Sequence, residues 1–213
     1  MTNWYDRYIM PRLITCACGQ EAVRAKRAVI VPLASGDVLE LGCGGGLNLP
    51  LYDRGAVRSL AGIDPHAGLL ERARAQAQAA GWEVDFRQAC GEDLPFRDAR
   101  FDTVVCTYTL CSVANPDAVL AEARRVMKPD GRLLFLEHGR APDAEVKVWQ
   151  ERLQPVWKRL AGGCHLARPV GASFRARGFE VEPLGQEYLP KAPRAMGWME
   201  WGVARRSLRT GGL

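Results

Sequence analysis

The sequence predicts an α/β chain folded as one domain over residues 1–213, a mostly parallel seven-stranded sheet with helices on both faces. Apolar, strand-like runs alternate along it with helical stretches, the pattern of a sheet covered on both sides. The 213 residues suffice for one well-filled core, and 47% hydrophobic with 25% charged residues is the balance of a globular protein. No repeat, low-complexity tract or Pro/Gly/Ser-rich linker divides the chain.

The segment 1–33 opens on Trp4, Tyr5 and Tyr8 and carries a helical stretch over Glu21–Val31. It reads either as a lid or as a helix packed on the sheet edge. Strands are expected at Asp37–Leu41, Arg58–Asp64, Glu83–Arg87, Phe101–Thr107 and Gly131–His138. The helix His66–Ala80 is rich in alanine and stops at Gly81, which accepts the left-handed cap conformation. A second helix, Pro116–Met127, has Asn115 as its cap, Pro116 at its first position and Pro129 just past its end. A third covers Asp143–Leu160, with a kink expected at Pro155. After a short helix ending near Gly178, strands follow at Phe179–Tyr188 and Trp198–Arg205. Trp198, Met199 and Trp201 fit packing within the sheet better than a dimer edge.

The net charge of +5 comes from scattered cations, not a dense run, which argues against a nucleic-acid partner. The excess, including Arg205, Arg206 and Arg209, suits either a solvated face or peripheral contact with an anionic lipid surface. Seven cysteines, an odd number placed in apolar runs such as Val104-Val105-Cys106, read as buried free thiols of a reducing cytoplasm. Cys16-Ala17-Cys18 and Cys164-His165 lack the paired spacing of a zinc site, so no metal is expected. No signal-peptide pattern is visible, and no run approaches the ~20 apolar residues of a membrane span. The expected location is cytoplasmic.

Glu40-Leu41-Gly42-Cys43-Gly44-Gly45-Gly46 follows the first strand. Glycines there allow a sharp turn and close approach of a ligand to the backbone. Asp64 closes the next strand, where an acid accepts hydrogen bonds from both ribose hydroxyls of an adenosine. Asp64 also fits a helix cap before Pro65. The dinucleotide fingerprint G-x-G-x-x-G would need glycine where Leu47 stands, and it holds a pyrophosphate at a helix N-terminus. Glu40 is a poor neighbour for pyrophosphate and a good one for an α-ammonium group. The loop therefore favours S-adenosyl-L-methionine over NAD.

A second acidic loop, Cys90-Gly91-Glu92-Asp93-Leu94-Pro95-Phe96, precedes Phe101-Asp102-Thr103-Val104-Val105. The order E-x-G-x-G-x-G, I-D-P, G-E-x-L-P-F, F-D-x-V-V resembles the class I methyltransferases, which have a Rossmann-like fold. The resemblance implies that Glu40, Gly42, Gly44 and Gly46 belong to the loop at the methionine end and that Asp64 holds the ribose. It likewise implies that Gly91 and Glu92 flank the adenine, and that Thr107 faces the methionine portion. Cys90 departs from the pattern, since many relatives carry an aspartate there. Residues 34–140 would then be the cofactor-binding half and 141–213 the substrate-side half.

Further along stand V-C-T-x-x-L-C-S-V, Phe135-Leu136-Glu137-His138, Trp149-Gln150, Pro155-Val156-Trp157 and Gly163-Cys164-His165-Leu166-Ala167-Arg168. This set resembles a narrower group, the animal methyltransferase-like proteins that methylate alkyl thiols and hydrogen sulfide, with their bacterial relatives. It implies a small-molecule thiol or sulfide acceptor. Those animal proteins begin with a membrane anchor that finds no counterpart in this sequence. Phosphatidylethanolamine-type N-methylation and a catalytically silent binding regulator are the competing readings. Candidate substrate residues are Tyr5, Tyr108, Cys111, His138, Trp149, Trp157 and His165, with His138 the candidate catalytic group. Two bland readings stand beside them: His138 satisfied by a backbone carbonyl, and the two tryptophans as helix-face core.

Overall fold

The computed structural model describes residues 21–161 and 163–207. Tyr5, Cys16, Cys18 and Arg209 lie outside them. Seven strands run β1 (Gly36–Leu41), β2 (Val57–Asp64), β3 (Val84–Gln88), β4 (Phe101–Thr107), β5 (Met127–His138), β6 (Phe179–Tyr188) and β7 (Trp198–Arg206). They form one sheet in the order β3-β2-β1-β4-β5-β7-β6. β1 to β5 pair in parallel, whereas β7 inserts antiparallel between β5 and β6. This is a Rossmann-like α/β fold.

Helices α1 (Glu21–Ile30), α2 (Ala67–Ala80), α3 (Pro116–Val126), α4 (Ala144–Leu160), α5 (Val170–Ala176) and α6 (Arg194–Gly197) surround the sheet. Because successive strand side chains point to opposite faces, the central strands feed two cores. Val38, Leu60, Val105, Leu134 and Leu136 meet Ile30 of α1 and Ala77 of α2. Leu39, Ile63, Val104, Cys106, Leu133 and Phe135 meet Val119 and Ala123 of α3 and Phe174 of α5. Buried on both sides, these strands read as continuous apolar runs. Trp198, Met199 and Trp201 are buried within β7.

The expected caps form. Asn115 Oδ1 accepts from the Ala118 amide at 3.2 Å, and Gly81 takes φ 67°. One expectation needs correction. The helix ends at Val126, because Met127 is already extended and pairs with Phe101 before the register shifts to Arg132 opposite Thr103. α4 carries Pro155 inside it and spans Ala144–Leu160, close to the expected bounds. Arg206 is not a free surface cation: its guanidinium donates to the carbonyls of Arg124 and Met127. Among the described residues, no helix is long and apolar enough to cross a membrane.

At the starting ends of the strands, Asp102 of the F-D motif accepts from the Asp37 amide and from Lys128 Nζ, each at 2.8 Å. That aspartate ties strand starts together. The opposite, carboxyl ends carry the site.

Candidate functional site

The strand order reverses between β1 and β4, and open α/β sheets bind ligands at such a point, beyond the carboxyl ends of the strands. A cleft of about 330 Å³ lies there, lined by Gly42, Gly44, Asp64, Gly91, Glu92, Thr107, Tyr108 and Thr109 among others.

The glycine loop has the backbone its residues allow. Gly42, Gly44 and Gly46 take φ of 63°, 53° and 83°. A Cβ at Gly42 would meet Thr109 Oγ1 at 2.4 Å, whereas one at Gly44 would meet nothing within 4 Å and would intrude on the cleft. Gly46 packs against Leu49 and the Ala73 backbone, a folding role. The loop is anchored to β2 by the Cys43 amide donating to Ile63 O at 2.9 Å.

Asp64 is buried. Its Oδ2 accepts from the Gly44 amide at 3.0 Å and its Oδ1 from the His66 amide at 2.8 Å. The cap residue of α2 is His66, so Asp64 braces the turn into the helix without capping it. Oδ1 also lies 3.3 Å from His66 Nδ1, whereas Oδ2, with two lone pairs and one amide partner, still has one to offer the cleft.

Glu40 stands behind the cleft wall instead of on it. Its carboxylate accepts from Asn48 Nδ2 at 2.8 Å and from the Tyr52 hydroxyl at 2.9 Å. Burial pushes it up to about 7, against the pull of the Tyr52 bond and of the Arg27 charge. Asn48 and Arg27 both donate to Thr107 Oγ1, at 3.0 and 2.7 Å. Arg27 is only 6% exposed, lies under the Tyr108 ring at 4.9 Å, and lines the cleft with its Nε buried and without a partner. Sequence reasoning missed Arg27, although a signal existed. Val23, Arg27 and Ile30 form the buried stripe of α1, and an arginine inside an apolar stripe needs a reason.

The second wall is the loop after β4. Tyr108 turns it with φ 56°. Glu137, fully buried at the end of β5, accepts from the amides of Thr109 (2.8 Å), Leu110 (3.1 Å) and Cys111 (3.2 Å). Burial pushes Glu137 up to about 7 although these amides pull it down. Arg168 donates to the carbonyls of Leu110 and, at 2.7 Å, Val113. The His165 amide donates to Cys111 O at 2.7 Å. The motif residues of the second half thus clamp this loop from behind.

Of the described candidate substrate residues, Tyr108 alone lines the cleft. Cys111, His138, Trp157 and His165 gather behind the clamped loop around Cys164, with His138 Nδ1 at 4.0 Å from Cys164 Sγ. Trp149 belongs to neither group: it is 55% exposed on α4, with Arg152 over its ring. Cys90 is exposed and lines the cleft, contrary to the expectation of buried thiols. Among the described residues, no three His, Cys, Asp or Glu side chains come together as a metal site.

Residues 39–135 match the family model described as a methyltransferase domain. The chain is 37% identical over 170 residues to the thiol S-methyltransferase TMT1B of Rattus norvegicus, covering 75% of this chain and 68% of that protein. It belongs to the class I S-adenosylmethionine-dependent methyltransferases. This methyltransferase is also 36% identical over 120 residues to the phosphatidylethanolamine N-methyltransferase of Cereibacter sphaeroides, over 55% of this chain and 58% of that protein. A SAM-dependent methyltransferase from Methanosarcina mazei superposes with a TM-score of 0.64 at 21% identity, covering 81% of this chain and 92% of that one. The methyltransferase uses S-adenosylmethionine. The open face at Gly44, the spare lone pair of Asp64 Oδ2 and the unpartnered Nε of Arg27 fit that group.

Proposed function

We propose that the methyl acceptor is a small-molecule thiol or sulfide. The observation that carries this reading is the 37% identity to a thiol S-methyltransferase over three quarters of the chain. Residues 34–140, joined by Arg27 of α1, hold the cofactor and 141–213 shape the acceptor side. Free thiols at all five described cysteines support a reducing, cytoplasmic setting.

When bound, the cofactor supplies a methyl group on a sulfonium for direct in-line displacement. Asp64 accepts the ribose hydroxyls, while Gly42 and Gly44 let the backbone approach the methionine portion. Gly91 and Glu92 flank the adenine. Thr107 faces the methionine end, held there by Asn48, which Glu40 fixes in turn. Arg27, a buried guanidinium, suits the cofactor carboxylate, since charge-assisted bonds of this kind are the strong ones. Positioning two reactants can supply ~7–11 kcal/mol. A thiol of pKa ~8.5 needs only about 2 kcal/mol to ionise at pH 7. The reading therefore gives His138, which lies off the cleft wall, no obligatory proton-transfer role.

The test is label transfer from methyl-labelled S-adenosylmethionine to hydrogen sulfide, alkyl and aromatic thiols, and phosphatidylethanolamine vesicles. Label in a thioether or methanethiol is the expected result. Label in lipid alone would overturn the thiol assignment.

A further inference from the structure

Behind the clamped loop sits a pair of thiols that methyl transfer does not use. Cys111 is buried in the loop after β4, and Cys164 is half-buried in the connection from α4 to α5. Cys164 precedes His165, which is bonded to Cys111 O, so the two thiols lie on adjoining segments and each perturbs the other electrostatically. The two segments cannot drift apart, because both the amide and the ring Nδ1 of His165 reach Cys111 O, at 2.7 and 3.1 Å. His138 presents Nδ1 to the Cys164 sulfur at 4.0 Å, and its Nε2 is buried without a partner. The neighbouring Cys111 thiol and then the nearby His138 hold Cys164 below the ordinary thiol range. Cys111 is pushed up, first by that neighbour and then by burial. Cys164, the more accessible sulfur and the one beside His138 Nδ1, is thus set up to attack, and the buried Cys111 to resolve.

We propose that Cys111 and Cys164 are a redox pair, oxidised by a hydroperoxide to an intramolecular disulfide that loosens the cofactor cleft. The Cys164 thiolate attacks a peroxide oxygen; the S–O bond forms, the O–O bond breaks, and the departing hydroxide takes up a proton to leave as water. Cys111 then attacks the Cys164 sulfenic acid. The S–S bond forms, the S–O bond breaks, and the hydroxide leaves as a second water with the Cys111 proton. Two thiols lose two electrons in total, and the peroxide is reduced. A disulfide draws the sulfurs to about 2.05 Å. That pull falls on the loop whose Tyr108, Thr109, Ser112 and Val113 line the cleft.

The experiment treats the full chain with hydrogen peroxide, maps disulfides by non-reducing peptide mass spectrometry, and measures S-adenosylmethionine affinity by calorimetry. Affinity is the readout because a thiol acceptor would itself reduce the pair. The expected result is a 111–164 linkage, about tenfold weaker binding, the equivalent of one lost hydrogen bond, and recovery with dithiothreitol. Cys164→Ser should form no linkage and keep its affinity under peroxide. Oxidation confined to the exposed Cys90, with Cys111 and Cys164 still open to alkylation after denaturation, would overturn the proposal. So would a 111–164 linkage that leaves affinity unchanged. If the variant fails to fold, the peptide map and affinity of the unsubstituted chain still decide.

Discussion

The two loops that face each other across the cleft are built on opposite principles. The glycine loop, 42–46, shapes itself. Its left-handed residues are glycines, its turns close within a few residues, and its remote hydrogen bonds go only to the end of the neighbouring strand, to the Ile63 carbonyl and the Asp64 side chain. The loop 108–113 closes one turn of its own on Thr109 O but is otherwise held from elsewhere: Glu137 takes three of its amides, Arg168 two of its carbonyls, and His165 the oxygen of Cys111. The first presents backbone to a constant ligand. The second hangs from Glu137 of β5 and from Arg168 and His165 after α4, so a change in those segments reaches the cleft without touching it.

Removing the one side chain that braces the self-shaped loop from β2 should give the largest effect. Hydrogen bonds to a charged group contribute ~1.5–3 kcal/mol each, so losing two to the ribose in Asp64→Ala should weaken cofactor binding by roughly 10²–10⁴-fold. Calorimetry on the folded variant checks this; unchanged affinity would remove Asp64 from the site.

The clamped loop should instead show itself in stability and its pH dependence. Burial raises the folded-state value of Glu137 from 4.5 to about 7. Between those values the folded chain keeps a proton that the unfolded chain releases. The associated stability is complete below about 4.5 and lost as pH rises through about 7, on the order of 3 kcal/mol. Glu40 behaves alike. Asp37 and Asp102, held low by Arg58 and Lys128, lose their contributions only at more acid pH. Tm should therefore fall by roughly 6–12 °C per glutamate from pH 4.5 to 7.5. Glu137→Gln, which cannot titrate, should flatten part of that slope; an unchanged slope would contradict the assignment.

Arg168→Lys keeps the charge but cannot fork to two carbonyls. It should cost about 1–2 kcal/mol in chemical denaturation and raise KM for the cofactor more than it lowers kcat. Equal stability would mean that the loop holds itself. The smallest effect is expected at Trp149→Ala. With its ring more than half exposed, both stability and KM for the acceptor should stay within about 0.5 kcal/mol of the unsubstituted chain. A large rise in that KM would return Trp149 to the acceptor site.

Local chemistry was legible from the sequence alone. Strand and helix identities, the caps at Asn115 and Gly81, the glycine loop and Asp64 all follow from residues close together in the chain, because turns, caps and buried strands are specified by nearest neighbours. Only the tertiary structure placed β7 antiparallel between β5 and β6, moved Glu40 behind the wall, and brought Arg27 from α1 into it. It also separated Trp149 from the residues that share its motif, and turned the F-x-E-H and G-C-x-L-x-R segments into a clamp on a loop many residues away. Each of those depends on which distant groups meet in a low-dielectric interior. There a buried carboxylate or guanidinium must find every partner it needs, and a linear sequence does not say which partners will be within reach.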